Sequence, residues 1–466
     1  MSTVATASRV RRTGPVLAVV ALIAFVTTLD NTIIAAAAPS IGRELGLSLA
    51  TLQWISIAYI LPYAGLLLTA GALLDRFGRR RLLLAGCALF AAGAVLGGVA
   101  RSAELLLIAR VAQGVAAAFL VPGTLSLVRT ALPADRRAVA VTIWTAALAT
   151  ALALGPWLGG ALAQYLHWSW IFLSNLPFVA AAAIVLASRT PPEETRHGAR
   201  VRLLGAVLVT LSLVLLMASV LTSAGTAIAL ALGAAGALGL VASALVERRA
   251  DTPLIPARLL GSRGFAGANA LVLLWGLGIS GVVFFTPLVH QEFLGASPAA
   301  AGVPLVLVAA AVIGTTPFVP AVTRALGPHR TVFLGLAVLA AGLVALAIAN
   351  DQHAVGPRVP GLLLAGAGSA FTTPITTYAL ELVDAEDAGI ASGVLAASRE
   401  LASAFGVAFI GLVLTLVQQD LVLSGVDRGP ALAAGYTAGL VVAAALQAVG
   451  AVLALVVLRP PGTRQS

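Results

Sequence analysis

The chain has 466 residues, of which 60% are hydrophobic and only 10% are charged. A soluble globular protein has about 45–50% apolar and about 25% charged residues, so a soluble enzyme and a nucleic-acid-binding protein are all but excluded. The formal net charge of +10 comes entirely from arginine, because the sequence contains no lysine. In so apolar a chain, a basic excess indicates loops that stay on the cytoplasmic side of a membrane.

Fourteen apolar stretches are long enough to be membrane-spanning helices, since about 20 residues cross the roughly 30 Å hydrocarbon core. The first stretch is too long for a removable signal peptide, so we expect a retained helix. The predicted spans are 15–38, 51–74, 82–100, 105–128, 138–162, 170–188, 203–222, 227–246, 265–288, 299–322, 331–349, 359–380, 390–418 and 433–457.

The arginine distribution predicts that both termini lie in the cytoplasm. With the N-terminus inside, 22 arginines fall in inner segments and only four in outer loops. Positive charge is enriched in cytoplasmic loops, and an even number of spans returns the C-terminus to the same side. The outer four are Arg43, Arg101, Arg358 and Arg428, and the two arginines within spans are Arg110 and Arg399.

A short internal sequence repeat predicts two homologous halves. Residues 45–48 (Leu-Gly-Leu-Ser) precede the second span, and residues 294–297 (Leu-Gly-Ala-Ser) precede the tenth, 249 residues later. Arg-containing segments that end at Gly78 and Gly327 follow the same two spans, 249 residues apart. The predicted architecture is a six-helix bundle over 1–190, two inserted helices with their linkers over 191–262, and a six-helix bundle over 263–466. Transporters are commonly built from such repeats.

The loop after the second span combines glycine, an acid and arginines. Its members are Gly71, Asp75, Arg76, Gly78, Arg79 and Arg80. An acid at the C-terminal end of a helix is poorly placed for the helix dipole, so Asp75 needs a cationic partner. We expect arginines on a turn at Gly78 to supply it and to clamp neighbouring helices, and Gly71 to allow close helix packing. The second-half copy has Thr323 at the position of the acid, so a charged latch is expected mainly in the first half. A plain stop-transfer loop would explain the arginines alone.

This loop resembles the signature loop of the major facilitator superfamily. Four further segments resemble the fourteen-helix drug:proton antiporter family within it. They are 29–34 (Leu-Asp-Asn-Thr-Ile-Ile) through Pro39, 110–114 (Arg-Val-Ala-Gln-Gly), 155–160 (Gly-Pro-Trp-Leu-Gly-Gly), and 168–172 (Trp-Ser-Trp-Ile-Phe) with Asn175 and Pro177. Thr142 and Ala151 depart from the antiporter motif, which usually has glycine at both positions.

The resemblance implies an all-α integral protein of the bacterial inner membrane with the major facilitator fold, and not an enzyme. It implies a proton-coupled antiporter that exports lipophilic drugs or antibiotics by alternating access. The expected partners are a small lipophilic compound, neutral or cationic, together with protons and membrane lipid, but no nucleic acid. Without lysine there is no nucleotide P-loop, so ATP is not expected to drive transport. No metal and no cofactor is expected, and the proton is the coupling ion.

Three charges inside spans are candidate coupling residues, because a charge at the centre of a span costs about 2.5–3.5 kcal/mol. Asp30 is expected about 6 Å and Arg110 about 9 Å from the outer edge, so the two can meet if their helices are neighbours. Glu400 is expected near the bilayer midplane. We predict that Asp30 and Glu400 exchange protons. The alternatives are that Asp30 braces helices, that Arg110 is structural, and that Glu400 pairs permanently with an arginine.

Two further sets of residues carry predictions. Gly155, Pro156, Gly159 and Gly160 are predicted to form a kinked surface of small residues that another helix approaches closely and that limits leakage. Ordinary helix packing is the alternative for this set. The second set, Asn31 and Gln113, consists of candidate substrate-binding residues.

Two other functions remain open at this stage. One is a dedicated exporter or uniporter of an endogenous metabolite such as an antibiotic, a siderophore or an amino acid. The other is a membrane sensor or scaffold that has kept a transporter fold, although the inner loops leave no room for a signalling domain.

Overall fold

The computed structural model describes residues 2–189, 203–222, 224–249, 255–384 and 387–458, which are almost entirely helical and contain no β-strand. The linker arginines Arg196, Arg200 and Arg202, and Arg459 and Arg464 near the C-terminus, lie outside the described residues. Eight helices come first: α1 (Ser2–Leu45), α2 (Leu49–Phe77), α3 (Arg79–Gly98), α4 (Ala103–Ala131), α5 (Ala134–Tyr165), α6 (Trp170–Leu173), α7 (Leu176–Arg189) and α8 (Leu203–Leu221).

Ten helices follow in the second part of the chain. They are α9 (Thr226–Arg248), α10 (Ala257–Gly261), α11 (Arg263–Glu292), α12 (Pro298–Thr315), α13 (Val319–Leu326), α14 (Pro328–Ala349), α15 (Val359–Ala370), α16 (Pro374–Glu381), α17 (Ala388–Leu423) and α18 (Arg428–Val457). A single 3-10 turn joins α12 to α13, and another precedes α15.

Thirteen helical segments among the described residues are long and apolar enough to cross a membrane. They correspond to thirteen of the predicted spans. The remaining one, 359–380, is divided into α15 and α16, each shorter than a membrane-spanning helix. Apolar length does not predict this division, since the whole stretch is apolar.

The division between α15 and α16 has a local chemical cause. Pro374 begins α16 and has no amide hydrogen to donate to the preceding turn. The hydroxyls of Thr372 and Thr373 donate to the carbonyls of Ser369 and Ala370, both at 2.7 Å. The backbone amides of the same two threonines also donate to these carbonyls, both at 3.2 Å, so side chain and backbone together satisfy the carbonyls at the break.

The internal sequence repeat corresponds to repeated local structure. Ser48 and Ser297 cap the N-termini of α2 and α12, each accepting a hydrogen bond from the amide three residues later. The glycines two residues before them adopt positive φ angles of 64° and 66°. Gly78 and Gly327, at the other ends of the two segments, also have positive φ, at 88° and 80°. The two turns in each half therefore require the same backbone conformations.

The chain divides into two compact units, residues 1–210 and 211–466. The boundary falls within α8, whose Thr210 lies against Gly65 of α2 and whose Ser212 lies against Gly239 of α9. The division into 1–190, 191–262 and 263–466 remains a prediction, because the first inserted helix contributes to both units.

Each unit has its own buried helix contacts. In the first unit α1 packs along α5 and also contacts α4 and α7, while α4 packs on α2 and α3. In the second, α11 packs on α17 and α18, and α14 packs on α15 and α18. The short helix α10 joins this second core through the buried Leu259.

Candidate functional site

The first unit contains a buried charged network around Asp30. One carboxylate oxygen accepts a hydrogen bond from Nη1 of Arg110 at 2.5 Å. The other accepts from the amide nitrogens of Gln113 at 2.8 Å and Asn175 at 2.6 Å. The side chains of Asp30 and Arg110 are 1% and 0% exposed, so this is an ion pair shielded from solvent. The depths of the two residues predict that they can meet if their helices are neighbours. In the structure α1 and α4 are neighbours, and the two side chains are in contact.

Arg110 is held from a second side by α2. Its Nε donates to the carbonyl of Ile55 at 3.1 Å, and its guanidinium lies 4.4 Å from the centre of the Tyr59 ring. The Tyr59 hydroxyl in turn donates to the carbonyl of Thr27 on α1. Gly114 makes this approach possible, since a Cβ there would lie 2.2 Å from the Tyr59 carbonyl oxygen. The network therefore joins α1, α2 and α4.

Asn175 is the member of the network to which the sequence assigned no role. It lies between α6 and α7 and is fully buried. Its signal was an amide side chain in an otherwise apolar stretch, within the segment that resembles the antiporter family. Which carboxylate it contacts depends on how residues 166–175 fold back, and the sequence does not show this.

The same segment is tied to the end of α1 by a second acid that the sequence did not single out. Glu44 accepts a hydrogen bond from the indole of Trp168 at 2.8 Å, and one of its oxygens lies 2.9 Å from Nε2 of His167. Trp168 is 2% exposed and packs edge-on against Phe172. The tryptophan of the motif thus fixes the loop before α6 onto α1.

The two candidate substrate residues occupy different environments. Both polar atoms of Gln113 are engaged, because its amide nitrogen contacts Asp30 and its oxygen accepts from Arg110 at 2.9 Å. Since Gln113 is also fully buried, it is unable to contact a substrate in this conformation. Asn31 is partly exposed on α1, and its substrate role remains a prediction.

The signature loop forms a charged contact and a helix cap. Nη2 of Arg79 donates to the carboxylate of Asp75 at 2.6 Å across the turn at Gly78. Arg80 donates to the carbonyls of Leu186 at 3.2 Å and Ala187 at 2.6 Å, near the end of α7. A cation that binds the last carbonyls of a helix is favourably placed for the helix dipole. In this unit the loop joins α2, α3 and α7, and Arg76 lies over the ring of Phe77.

The expected packing role of Gly71 is wrong for this conformation. Gly71 is exposed, and a Cβ added to it would meet no atom within 4 Å. In the second-half copy of the loop, Arg324 donates back to Pro320 in its own helix at 3.4 Å. Thr323 supplies no carboxylate, so this copy forms no contact equivalent to that of Asp75.

The antiporter motif on α5 packs directly against α1. A Cβ at Gly155 would lie 2.0 Å from the Thr32 hydroxyl, and one at Gly159 would lie 2.0 Å from the Ile33 carbonyl oxygen. Pro156 and Gly160 are buried beside them. The expected close approach is therefore present, with α1 as the partner helix. Asp30 lies on α1 only two or three residues before these contacts, so the motif helps to position the buried carboxylate.

Glu400 lies on α17 in the second unit and is partly exposed. Among the described residues, no arginine or histidine lies within ion-pair distance of its carboxylate. The neighbouring Arg399 instead donates to the hydroxyl of Thr376 at 3.2 Å and lies 5.5 Å from the Trp275 ring centre. The alternative in which Glu400 forms a permanent ion pair therefore finds no partner in the part of the chain that the structure describes.

A buried arginine–aspartate pair, a glycine-rich helix contact and a charged turn thus occur together in one helical unit. Residues 20–407 match the profile of the Major Facilitator Superfamily. The chain belongs to this superfamily. Its members are membrane transporters, and this protein is accordingly a transporter and not an enzyme.

Similar proteins include several exporters and resistance proteins. The chain is 35% identical over 401 residues to the cephamycin export protein CmcT of Amycolatopsis lactamdurans, covering 83% of this chain and 82% of that protein. It is 32% identical over 406 residues to the multidrug efflux pump LfrA of Mycolicibacterium smegmatis, covering 86% and 80% of the two chains. Together with the many apolar helices, these bacterial relatives show a multi-pass protein of the inner membrane.

Solved structures share the fold at low sequence identity. A bacterial homologue of the human lysosomal transporter Spinster, solved in an inward-facing and unoccupied conformation, matches with a TM-score of 0.70 and 16% identity, covering 97% of this chain and 99% of that one. A D-xylose–proton symporter matches with a TM-score of 0.65 and 16% identity, covering 94% and 97%. At this identity the likeness shows the major facilitator fold alone.

Proposed function

We propose that this transporter is a proton-coupled antiporter that exports small lipophilic drugs or antibiotics, neutral or cationic, by alternating access. The observation that carries the proposal is the solvent-shielded pair of Asp30 and Arg110 in a chain whose relatives are drug and antibiotic exporters. A buried ionisable pair inside a membrane protein is expensive and typically marks an ion or substrate pathway. Protons are the proposed coupling ion, without ATP, a metal or a cofactor.

The proposal includes fourteen spans with both termini in the cytoplasm. The segment made of α15 and α16 would cross the membrane as a broken helix and supply the fourteenth span. Irregular backbone is tolerated at membrane depth when neighbouring side chains satisfy it, as Thr372 and Thr373 do here. The excess of arginine in the predicted inner segments supports this orientation.

The proposed coupling rests on competition for a carboxylate. Protonation of Asp30 would remove the charge that holds Arg110 and would weaken the hydrogen bonds from Gln113 and Asn175. Because these contacts join α1, α4 and the loop before α7, their loss would free those elements to move relative to one another. Release of the proton into the more alkaline cytoplasm would restore the ion pair. Each proton that crosses at 100 mV contributes about 2.3 kcal/mol, besides the contribution of the pH difference.

Glu400 is the second proposed proton-exchanging group. It is partly exposed and has no ion-pair partner among the described residues, so its carboxylate is available to a proton or to a cationic compound. The neighbouring Arg399 is engaged by Thr376 and Trp275. We therefore assign Glu400 to proton or substrate exchange and Arg399 to packing.

The test is efflux from proteoliposomes with an imposed pH gradient, using ethidium as the transported probe. Wild-type protein should export ethidium from the lumen only when the outside is acidic, and the lumen should acidify faster in the presence of ethidium because protons enter in exchange. Asp30→Asn with Glu400→Gln should abolish gradient-driven efflux, while the exposed Asp420→Asn on α17 serves as the matched control. Full coupling in the double variant, with protein inserted and folded, would exclude the assignment.

A dedicated exporter of one endogenous antibiotic is the second candidate. It is favoured by the identity to the cephamycin export protein and by a 30% identity to a tetracenomycin C resistance and export protein of Streptomyces glaucescens. A susceptibility panel with the gene deleted and overexpressed distinguishes the two. Protection against one antibiotic alone would favour the dedicated exporter, and protection against unrelated lipophilic compounds would favour multidrug efflux.

A further inference from the structure

The second unit contains a groove at the end where α11 and α14 finish and α18 begins. Its volume is about 560 Å³, within the range of about 300–1,000 Å³ typical of small-molecule sites. The arginine distribution predicts that this end faces outside the cell. We call it the Asp351 groove, and its lining includes Phe293, Ile348, Asp351, His353, Ala433, Ala434 and Thr437.

Asp351 places a negative charge at an unfavourable point of the helix dipole. It directly follows Asn350, the C-cap of α14, where the helix end already carries a partial negative charge. No arginine or histidine among the described residues lies within ion-pair distance of its carboxylate. Asp351 is exposed, so its charge faces the groove and the solvent.

Arg358 interacts electrostatically with Asp351, but its hydrogen bonds are directed elsewhere. Arg358 is 2% exposed, and its guanidinium donates to the carbonyls of Asn350 at 2.6 Å and Ala354 at 3.4 Å. Arg358 thus caps the end of α14 from the inside. The carboxylate of Asp351 therefore receives no direct hydrogen bond from this cation.

The walls and floor of the groove favour an apolar body with a positive head. Phe293 and His353 stack with ring centres 4.8 Å apart, and Ile348 continues the apolar wall. On the floor, Asn350 donates to the Ala433 carbonyl at 2.7 Å and to the Thr437 hydroxyl at 3.0 Å. The Thr437 hydroxyl itself donates to Ala433, so these donors are not available to an anion.

We propose that the Asp351 groove binds a lipophilic monocation, with its charge beside Asp351 and its apolar groups against Phe293 and Ile348. The site lies wholly in the second unit and includes none of the residues assigned to proton exchange. It rests on the proposed function only in that its ligand belongs to the class of compounds proposed for export. The chemistry is that of an aromatic phosphonium or a quaternary ammonium with apolar substituents.

The test is thiol labelling, which is simple to design because the chain has a single cysteine to replace. Cys87 is buried, so a Cys87→Ser background with Ala434→Cys gives one reactive thiol in the groove. A trimethylammonium-ethyl methanethiosulfonate should label it about fivefold faster than the sulfonatoethyl reagent, after correction for their rates with free thiol. Tetraphenylphosphonium should slow labelling by the neutral methyl reagent. Asp351→Asn should remove both effects, and Asp420→Asn should leave them unchanged.

A second measurement covers the case in which Ala434→Cys fails to fold or to react. Calorimetric titration of the otherwise native chain with tetraphenylphosphonium should show one site fewer in Asp351→Asn than in wild type. An equal number of sites, or cation preference without protection by tetraphenylphosphonium, would overturn the proposal. Both measurements use detergent-purified protein without a pH gradient. If wild-type protein shows no gradient-driven efflux but tetraphenylphosphonium still protects the introduced cysteine, only the proposed function is refuted. If efflux is gradient-driven but tetraphenylphosphonium gives no protection, only the proposed cation site is refuted.

Discussion

Asp30 and Arg110 lie on different helices, 80 positions apart in the chain, and their charged atoms meet at 2.5 Å without exposure to solvent. Removal of one partner from a buried ion pair leaves an uncompensated charge, which is far more costly than removal of both. This asymmetry makes the stability of the N-terminal unit sensitive to the loss of either partner alone.

For Asp30→Asn we expect a loss of about 3–5 kcal/mol of stability, because Arg110 would remain buried without its counter-ion. The double variant Asp30→Asn/Arg110→Gln should recover a large part of this loss. Unfolding of purified protein by detergent titration measures both. Equal destabilisation by the single and double variants would show that the pair itself contributes little.

Gly159→Ala should destabilise the contact between α1 and α5 by about 1–3 kcal/mol, because the new methyl group would lie 2.0 Å from the Ile33 carbonyl oxygen. Gly71→Ala is the matched control. It meets no atom and should be neutral or stabilising by up to roughly 1 kcal/mol, since alanine favours a helix. Thermal melting of the two variants in the same detergent compares them. A normal melting temperature for Gly159→Ala would contradict the observed close approach.

Arg80→Gln should cost about 0.5–1.5 kcal/mol, because the carbonyls of Leu186 and Ala187 would lose their cationic cap. Arg81 is exposed on the same turn and makes no such contact, so Arg81→Gln should change stability much less. Hydrogen exchange at the end of α7 locates the effect. Faster exchange should occur there in Arg80→Gln alone, and equal exchange in the two variants would refute the cap.

A pH dependence follows from Asp387, which lies just before α17 and outside the spanning segments. The hydrogen bonds donated by Nε and Nη2 of Arg258, the second at 2.7 Å, hold the pKa of its carboxyl below the ordinary value of 3.8. Because the pKa is lower in the folded state, the bond stabilises the fold fully at pH values above the ordinary pKa of 3.8. This contribution is lost as the pH falls through the lowered pKa of the folded state.

We therefore expect Asp387→Asn to be less stable than wild type near pH 7, and the difference to vanish in strong acid. Melting curves across this range provide the measurement. Asp384→Asn removes an exposed acid three residues earlier and should show no comparable difference between the two conditions. A difference between Asp387→Asn and wild type that persisted in acid would exclude the bond with Arg258 as its cause.

Much of the fold could be predicted from the sequence, because apolar length determines where helices can span a membrane. The depth of Asp30 and Arg110 even indicated that they could meet. The partner of each glycine could not be predicted, since Gly71 and Gly159 look alike in a span and only the packing shows that one is exposed and the other in contact. Asn175 and Arg258 contact their acids through chain segments whose path depends on tertiary structure, so sequence spacing carried no signal for either.

The interruption of one predicted span has an electrical consequence. A continuous helix carries its partial charges only at its two ends, whereas α15 and α16 also place a partial negative and a partial positive end in the middle of the segment. The guanidinium of Arg399 is hydrogen-bonded to Thr376 in the first turn of α16, next to the positive of these ends. Because Arg399 is exposed, its charge and the positive end of α16 lie near the negative end of α15, so the interruption gives this part of the bundle a local dipole that a continuous helix would lack.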